Sequence, residues 1–215
     1  IGLFGDITFS WDDSIFLELT ARNDWSSTLP IDNNHYFYPG ATLSFLFTNY
    51  LPKNDILSFG KLRLAYGRTG NDAGVYNTYA TFSQASFRGT YDTDLVSFPL
   101  NGMNAFRRGY SIASPSLKPE MTTEKEIGLN LQFFNGRIGV DAAYYNRLTS
   151  DQIFPISIEP ATGYSSMVSN AGDVRNKGIE VLVDFVPVQT KDFRWDLSVN
   201  FAKNNSLVED LPAEL

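Results

Sequence analysis

The chain has 215 residues, 43% of them hydrophobic, no cysteine and a formal net charge of −7. Without cysteine neither a disulfide framework nor a thiolate metal site is available. The acidic balance, with Arg107-Arg108 as the one basic cluster, argues against a nucleic-acid partner. No apolar run approaches the roughly 18 to 20 residues of a membrane helix, which excludes a helical membrane protein. No linker composition divides the chain, so residues 1–215 are taken as one unit.

Apolar and polar residues alternate with the period of two that marks β-strands. In chain order the apolar sets are Ile7, Phe9, Trp11; Ile15, Leu17, Leu19, Ala21; Ala41, Leu43, Phe45, Phe47; and Leu62, Leu64, Tyr66. Cleaner runs follow: Ile127, Leu129, Leu131, Phe133; Ile138, Val140, Ala142, Tyr144; Ile179, Val181, Val183, Phe185; and Trp195, Leu197, Val199, Phe201. About eight strands are expected, each near the roughly 9 to 11 residues of a tilted bilayer crossing. Asn135-Gly136 supplies the positive φ pair of a type I′ turn, so the strands around it form a tight hairpin. Its register sets Glu124 opposite Arg147 and Asn130 opposite Asp141, and an ion pair Glu124–Arg147 is expected on the polar face.

A soluble β-sandwich also alternates, with its apolar face buried between two sheets. Two features favour a transmembrane β-barrel. Connections alternate between short (Trp11 to Ser14, Thr48 to Ser58, Phe134 to Arg137, Pro187 to Asp192) and long (Asn23 to Tyr36, Gly70 to Met121, Thr149 to Asn176), as outer-membrane barrels sort periplasmic turns from extracellular loops. Aromatics also gather at both ends of the apolar face: Trp11, Phe47, Phe133, Phe185 and Trp195 by the short turns, Tyr66, Tyr144 and Phe201 by the long loops. Two such girdles around an aliphatic band suit a lipid-facing surface. The opposite face carries Glu18, Arg22, Lys61, Arg63, Glu126, Asp141, Glu180, Asp184, Arg194 and Asp196, as a wet or plugged lumen requires. The expected fold is therefore all-β, an antiparallel up-and-down meander forming part of a large transmembrane barrel. A passive porin or adhesin barrel and a soluble β-sandwich binding module are the alternatives.

Particular segments sharpen this reading: Thr20-Ala-Arg-Asn-Asp-Trp-Ser-Ser-Thr-Leu-Pro30, Phe37-Tyr-Pro-Gly40, Leu62-Arg-Leu-Ala-Tyr-Gly-Arg-Thr-Gly-Asn71, Leu117-Lys-Pro-Glu-Met-Thr-Thr-Glu-Lys-Glu-Ile-Gly-Leu129, Ala143-Tyr-Tyr-Asn146 and Asn170-Ala-Gly-Asp-Val-Arg-Asn-Lys-Gly-Ile-Glu-Val181. In this order and spacing the chain resembles the SusC/RagA type of TonB-linked outer-membrane transporters. The resemblance implies a barrel of about 22 strands with an N-terminal plug, the TonB-ExbB-ExbD complex as partner, a SusD-like surface lipoprotein over the outer mouth, and import of oligosaccharides or peptides. Plug and TonB-binding segment are not in this sequence, and Pro212-Ala-Glu-Leu215 does not read as a closing aromatic strand, so an internal piece of the barrel is expected.

Chemistry is sparse. The lone histidine, His35, sits among Asn33, Asn34 and Tyr36 and reads as a solvated loop residue; no catalytic, metal or cofactor site is expected. The acidic pairs Asp12-Asp13, Asp92 with Asp94 and Glu209-Asp210 lack the spacing of a calcium loop, and Asp12-Asp13 reads as a turn. The segment from Gly70 to Met121 is too long for mere connection. It carries Tyr76, Tyr79, Phe82, Phe87, Tyr91, Phe98, Phe106, Arg107, Arg108 and Tyr110. Aromatic faces stack on sugar rings and arginine binds hydroxyls or carboxylates, so Tyr76, Tyr79, Phe106, Arg107, Arg108 and Tyr110, with Trp25, are candidate contacts to substrate or lid protein. The competing reading has these aromatics packing the loop on itself. Gly172 and Gly178 read as a tight re-entry into the strand that begins at Gly178-Ile179.

Overall fold

The computed structural model describes residues 1–88 and 95–211. Tyr91, Asp92, Asp94 and Pro212-Leu215 lie outside that set, as does the side chain of Phe87. The strands in chain order are β1 (Gly2–Trp11), β2 (Ile15–Trp25), β3 (His35–Phe45), β4 (Leu57–Asn71), β5 (Phe82–Gln84), β6 (Ser86–Arg88), β7 (Leu95–Ser97) and β8 (Phe106–Arg108). They continue with β9 (Ser111–Ile112), β10 (Glu120–Phe133), β11 (Ile138–Ser150), β12 (Ile153–Ser157), β13 (Ser166–Asn170), β14 (Asp173–Gln189) and β15 (Arg194–Asp210). The eight long ones form a single sheet in the order β1-β2-β3-β4-β10-β11-β14-β15, every neighbour antiparallel. It is an open up-and-down meander with β1 and β15 as its edges.

Turn chemistry sets the register at the short-turn end. Asp12 and Asp13 both take left-handed φ, 52° and 45°, and the Ser14 amide donates to the Trp11 carbonyl at 3.0 Å. Asn135 (φ 56°) and Gly136 (φ 84°) give the type I′ geometry their sequence foretells, and Glu124 then faces Arg147 and Asn130 faces Asp141. Between β3 and β4 the alternation misplaces one residue. Phe47 lies in a 3-10 turn, Phe47–Tyr50, not in a strand, yet its ring covers the outward side of Gly60 and so still joins the apolar face.

The apolar stripes share one face, and among the described residues no second sheet covers them. Ile179, Leu197, Val199 and Leu129 are exposed, and Val181, Val183 and Leu131 are half-buried by same-face neighbours only. The buried apolar side chains are elsewhere: Leu29, Ala73, Ala85, Leu117, Ile156 and Ala171 in the long connections or their short strands, Met121 at the loop end of β10, Val186 at a bulge of β14. A soluble sandwich would bury the stripes and expose the loops; this arrangement is the reverse. The aliphatic belt is therefore a surface built for lipid.

The strands outrun the belt. β14 and β15 have 17 residues each, against roughly 11 for a bilayer crossing, and the surplus lies at the long-loop end. Loop boundaries shrink accordingly to 26–34, 72–119 and 151–172. Gly178 is thus mid-strand in β14, which begins at Asp173; only Gly172, at φ 108°, sits in the re-entry turn.

Placing a charge on the belt tests the assignment of faces. Val181→Arg in the full-length protein is expected to cost about 2 to 4 kcal/mol of folding free energy in lipid vesicles. Asn200→Arg, on the opposite face of β15, is expected to change it little; equal effects would overturn the assignment.

Candidate functional site

The inward face of the sheet is polar and cross-linked. Arg147 Nε donates to Glu124 Oε2 at 2.5 Å across the β10–β11 pair. Arg63 reaches further: from β4 it crosses β10 and meets Asp141 of β11 with both terminal nitrogens, at 3.0 and 2.9 Å, while Asn130 Nδ2 donates to the same carboxylate at 2.8 Å. What permits the crossing is Gly128, opposite both Arg63 and Ala143, because a Cβ there would stand 2.8 Å from Arg63 Nη2. Gly178 does the same for Tyr145, whose ring lies over it and whose hydroxyl donates to Asn204 Oδ1 at 3.3 Å on β15. The sequence spacing that foretells Glu124–Arg147 cannot reveal Arg63–Asp141, since those residues are two strands apart. A hollow of about 750 Å³ lies on this face, walled by Glu18, Thr20, Thr42, Glu124, Glu126 and Arg147.

Above it the three long connections are tied at their roots. Leu117 is only 1% exposed and packs with Leu29 and Ala73, against which Tyr36, Ile153 and Val168 lie, so residues from all three loops share one small core. Asn33 Nδ2 donates to the Leu117 carbonyl at 3.2 Å. Asn170 accepts from the Lys118 amide at 2.8 Å and donates to the Lys118 and Asp151 carbonyls at 2.9 and 2.8 Å. A parallel pairing of β9 with β13 adds a further tie between the second and third loops. These contacts explain Leu117-Lys118 and Asn170 as architecture.

The loop aromatics point away from this core. Tyr76, Tyr79, Phe82, Phe106 and Tyr110 are each more than 60% exposed, and Tyr76 holds φ 67°, uncommon for a bulky residue. Among the described residues of this loop the buried apolar side chains are Leu117, Ala73 and Ala85, and Phe98 is half-buried. Arg107 stacks over Tyr110 at 5.2 Å and donates to its hydroxyl at 3.1 Å. Arg108 instead lies 3.9 Å over Tyr164 in the third loop, a partner that spacing along the chain does not single out. Trp25 closes β2 opposite His35, on the outward side of the sheet. Among the described residues no cluster of histidine, aspartate and glutamate has metal-binding geometry.

A lipid-facing belt, a charged inner wall and loops sorted to one end define a segment of transmembrane β-barrel wall. The TonB dependent receptor-like β-barrel family model matches residues 1–210, and the chain belongs to that family, one of outer-membrane transporters and not of enzymes. It is 30% identical over 224 residues to TonB-dependent receptor SusC of Bacteroides thetaiotaomicron, covering 98% of this chain and 21% of that one. It is 28% identical over 211 residues to TonB-dependent receptor P26 of Formosa agariphila, covering 97% of this chain and 20% of that one. The chain thus spans about a fifth of the length of these relatives. In fold it is similar to a solved chain of the RagAB peptide transporter, with TM-score 0.84 and 23% identity over 100% of this chain and 23% of that one. The wall belongs in the bacterial outer membrane, its long loops outside and its short turns in the periplasm.

Two substitutions probe what holds this wall and its loops. Leu117→Ala is expected to cost about 2 to 5 kcal/mol and to speed amide exchange jointly at 26–34, 112–119 and 166–171, read by hydrogen–deuterium exchange. Gly128→Ala should lower stability by about 1 kcal/mol, the scale of a partly solvated ion pair, and should cost nothing further in an Arg63→Ala background.

Proposed function

We propose that this chain is part of the barrel wall of a TonB-dependent importer of oligosaccharides or peptides, one that works with a SusD-like surface lipoprotein and draws on TonB-ExbB-ExbD through a plug domain encoded with it. The observation that carries this reading is the division of labour within the long connections: their roots are locked by Leu117, Asn33 and Asn170, and their tips present exposed aromatics above a charged lumen wall. Rigid aromatic surfaces of this kind suit stacking on sugar rings or burial against a protein lid, at small entropic cost per side chain. Arg107 and Arg108, each stacked on a tyrosine, add a cationic edge fit for a carboxylate or hydroxyl. Tyr76, Tyr79, Phe106, Arg107, Arg108 and Tyr110 are the proposed contact set; Trp25, on the outward side, is a contact to lid or lipid instead of to cargo.

The test uses the full-length transporter and the lipoprotein encoded with it. Tyr76→Ala/Tyr79→Ala/Phe106→Ala is expected to weaken lipoprotein co-purification or substrate uptake at least tenfold with barrel heat-stability unchanged. Unaltered uptake and unaltered co-purification together would sink the contact assignment. Uptake that persists in a strain lacking TonB would instead favour a passive porin.

A further inference from the structure

Strand alternation and register divide the charges of the eight long strands between two faces. Inward lie Glu18, Glu124, Glu126, Asp141, Glu180 and Asp184. Outward, on β10, β11, β14 and β15, the carboxylates are Asp173, Glu209 and Asp210, all at the far loop end, and Glu209 is held by Arg175. The outward cations sit lower. Lys125, Asn146, Lys177 and Asn205 are opposite one another in one row across the four strands. The row beneath it is Ile127, Tyr144, Ile179 and Lys203, the upper rim of the aliphatic belt. Tyr66 continues the girdle, directly opposite Lys125. Lys125, Lys177 and Lys203 are all exposed, and among the described residues none is in an ion pair.

In a chain of net charge −7, a wall whose acids turn inward and whose unpaired lysines stand at the belt's outer rim is charge-sorted by depth. The geometry also concentrates these cations. Lys125 and Lys177 are two strand spacings apart, roughly 10 Å, and Lys203 is the diagonal neighbour of Lys177, roughly 7 to 8 Å away. Flexible lysine stems let three ammonium groups from those positions converge on one headgroup. Asn146, placed between Lys125 and Lys177, adds an amide, and its carbonyl oxygen is fixed by Arg175 Nη1 at 3.1 Å. Immediately below, Ile127, Tyr144 and Ile179 offer an apolar bed continuous with the lipid-facing belt.

We propose that Lys125, Lys177 and Lys203, with Asn146, form a binding site on the outer side of the barrel for the phosphorylated headgroup of an outer-leaflet glycolipid, whose acyl chains lie on the belt below. The occupant is a lipid because the site continues into the lipid-facing surface, and an anionic one because no carboxylate shares its row. The inference rests on the outward face meeting lipid, which the Val181→Arg measurement tests separately. A basic residue near an anionic membrane surface contributes about fivefold in affinity, so three together contribute about a hundredfold.

The experiment titrates detergent-purified full-length transporter with monophosphoryl lipid A and counts bound lipid by native mass spectrometry. Lys125→Gln/Lys177→Gln/Lys203→Gln should weaken binding about a hundredfold, the triple Lys→Arg variant should retain it, and Lys191→Gln, at the opposite end of the barrel, should leave it unchanged. Lipid lacking its phosphate should bind the wild type as weakly as phosphorylated lipid binds the triple Gln variant. Equal affinity of wild type and triple Gln variant overturns the proposal, as does competition by millimolar inorganic phosphate, which would assign the lysines to a soluble anion. If the triple Gln variant does not fold, Lys177→Gln alone should still weaken binding about fivefold, and no change there overturns the proposal equally.

Discussion

A strand in hydrocarbon has no water to satisfy its backbone, so every amide and carbonyl at membrane depth must find the neighbouring strand. The antiparallel pairing of each of the eight long strands with its neighbours answers that demand, and most of what is specific to this wall follows from it. A ladder with fixed register gives each residue a parity, and parity gives it a solvent: lipid for Leu129, Val181 and Leu197, lumen for Glu126, Glu180 and Asp196. A slip of one residue would carry Glu180 and Asp184 into the hydrocarbon, so turn geometry at Asp12-Asp13 and Asn135-Gly136 is selective and not merely permissive.

The ladder couples adjacent strands only, and the inner wall extends that coupling. Arg63 lying flat over Gly128 joins β4 to β11, and Tyr145 lying over Gly178 joins β11 to β15. Glycine within a strand ordinarily weakens it; here the missing side chain is the space through which a neighbour's long side chain passes. The inner surface thereby becomes a cross-braced sheet in which Arg63, Asn130 and Asp141, Glu124 and Arg147, and Tyr145 and Asn204 are partnered with one another. Such a wall resists deformation while keeping its charge on the inner side, away from lipid.

Much of this is readable in the sequence because strands with one apolar face leave a two-residue rhythm, and the sorting of short and long connections with aromatics at both ends of that face points to lipid. The eight long strands, their faces and the Glu124–Arg147 register came from alternation plus one Asn-Gly pair. What stayed hidden was set by contacts that alternation does not encode. Phe47 has the right parity for a strand, but Asn54 and Thr48 hold a 3-10 connection there by bonding Leu57 and Gly60 amides. Gly178 looks like a turn glycine because it follows polar residues, whereas its reason is the ring of Tyr145. Alternation ends the strands too low in the loop region, since above the membrane both faces turn polar and the rhythm fades while pairing continues. Arg63 found Asp141, and Arg108 found Tyr164, through three-dimensional neighbours that spacing along the chain does not rank.

The loops carry the opposite economy to the wall. Their shared core is a handful of small and aliphatic residues around Leu117, far less than loops of this length would need to stand alone. They are held because the strands beneath deliver their six ends to fixed places, so a few contacts at the roots suffice to define the shape above. Large apolar side chains are then not required inside, and Tyr76, Tyr79 and Phe106 remain outside. An exposed aromatic surface on a soluble monomer invites aggregation. On a barrel mouth, where the membrane restricts encounters to what approaches from outside, the same surface is what the proposed function assigns to a partner or a cargo.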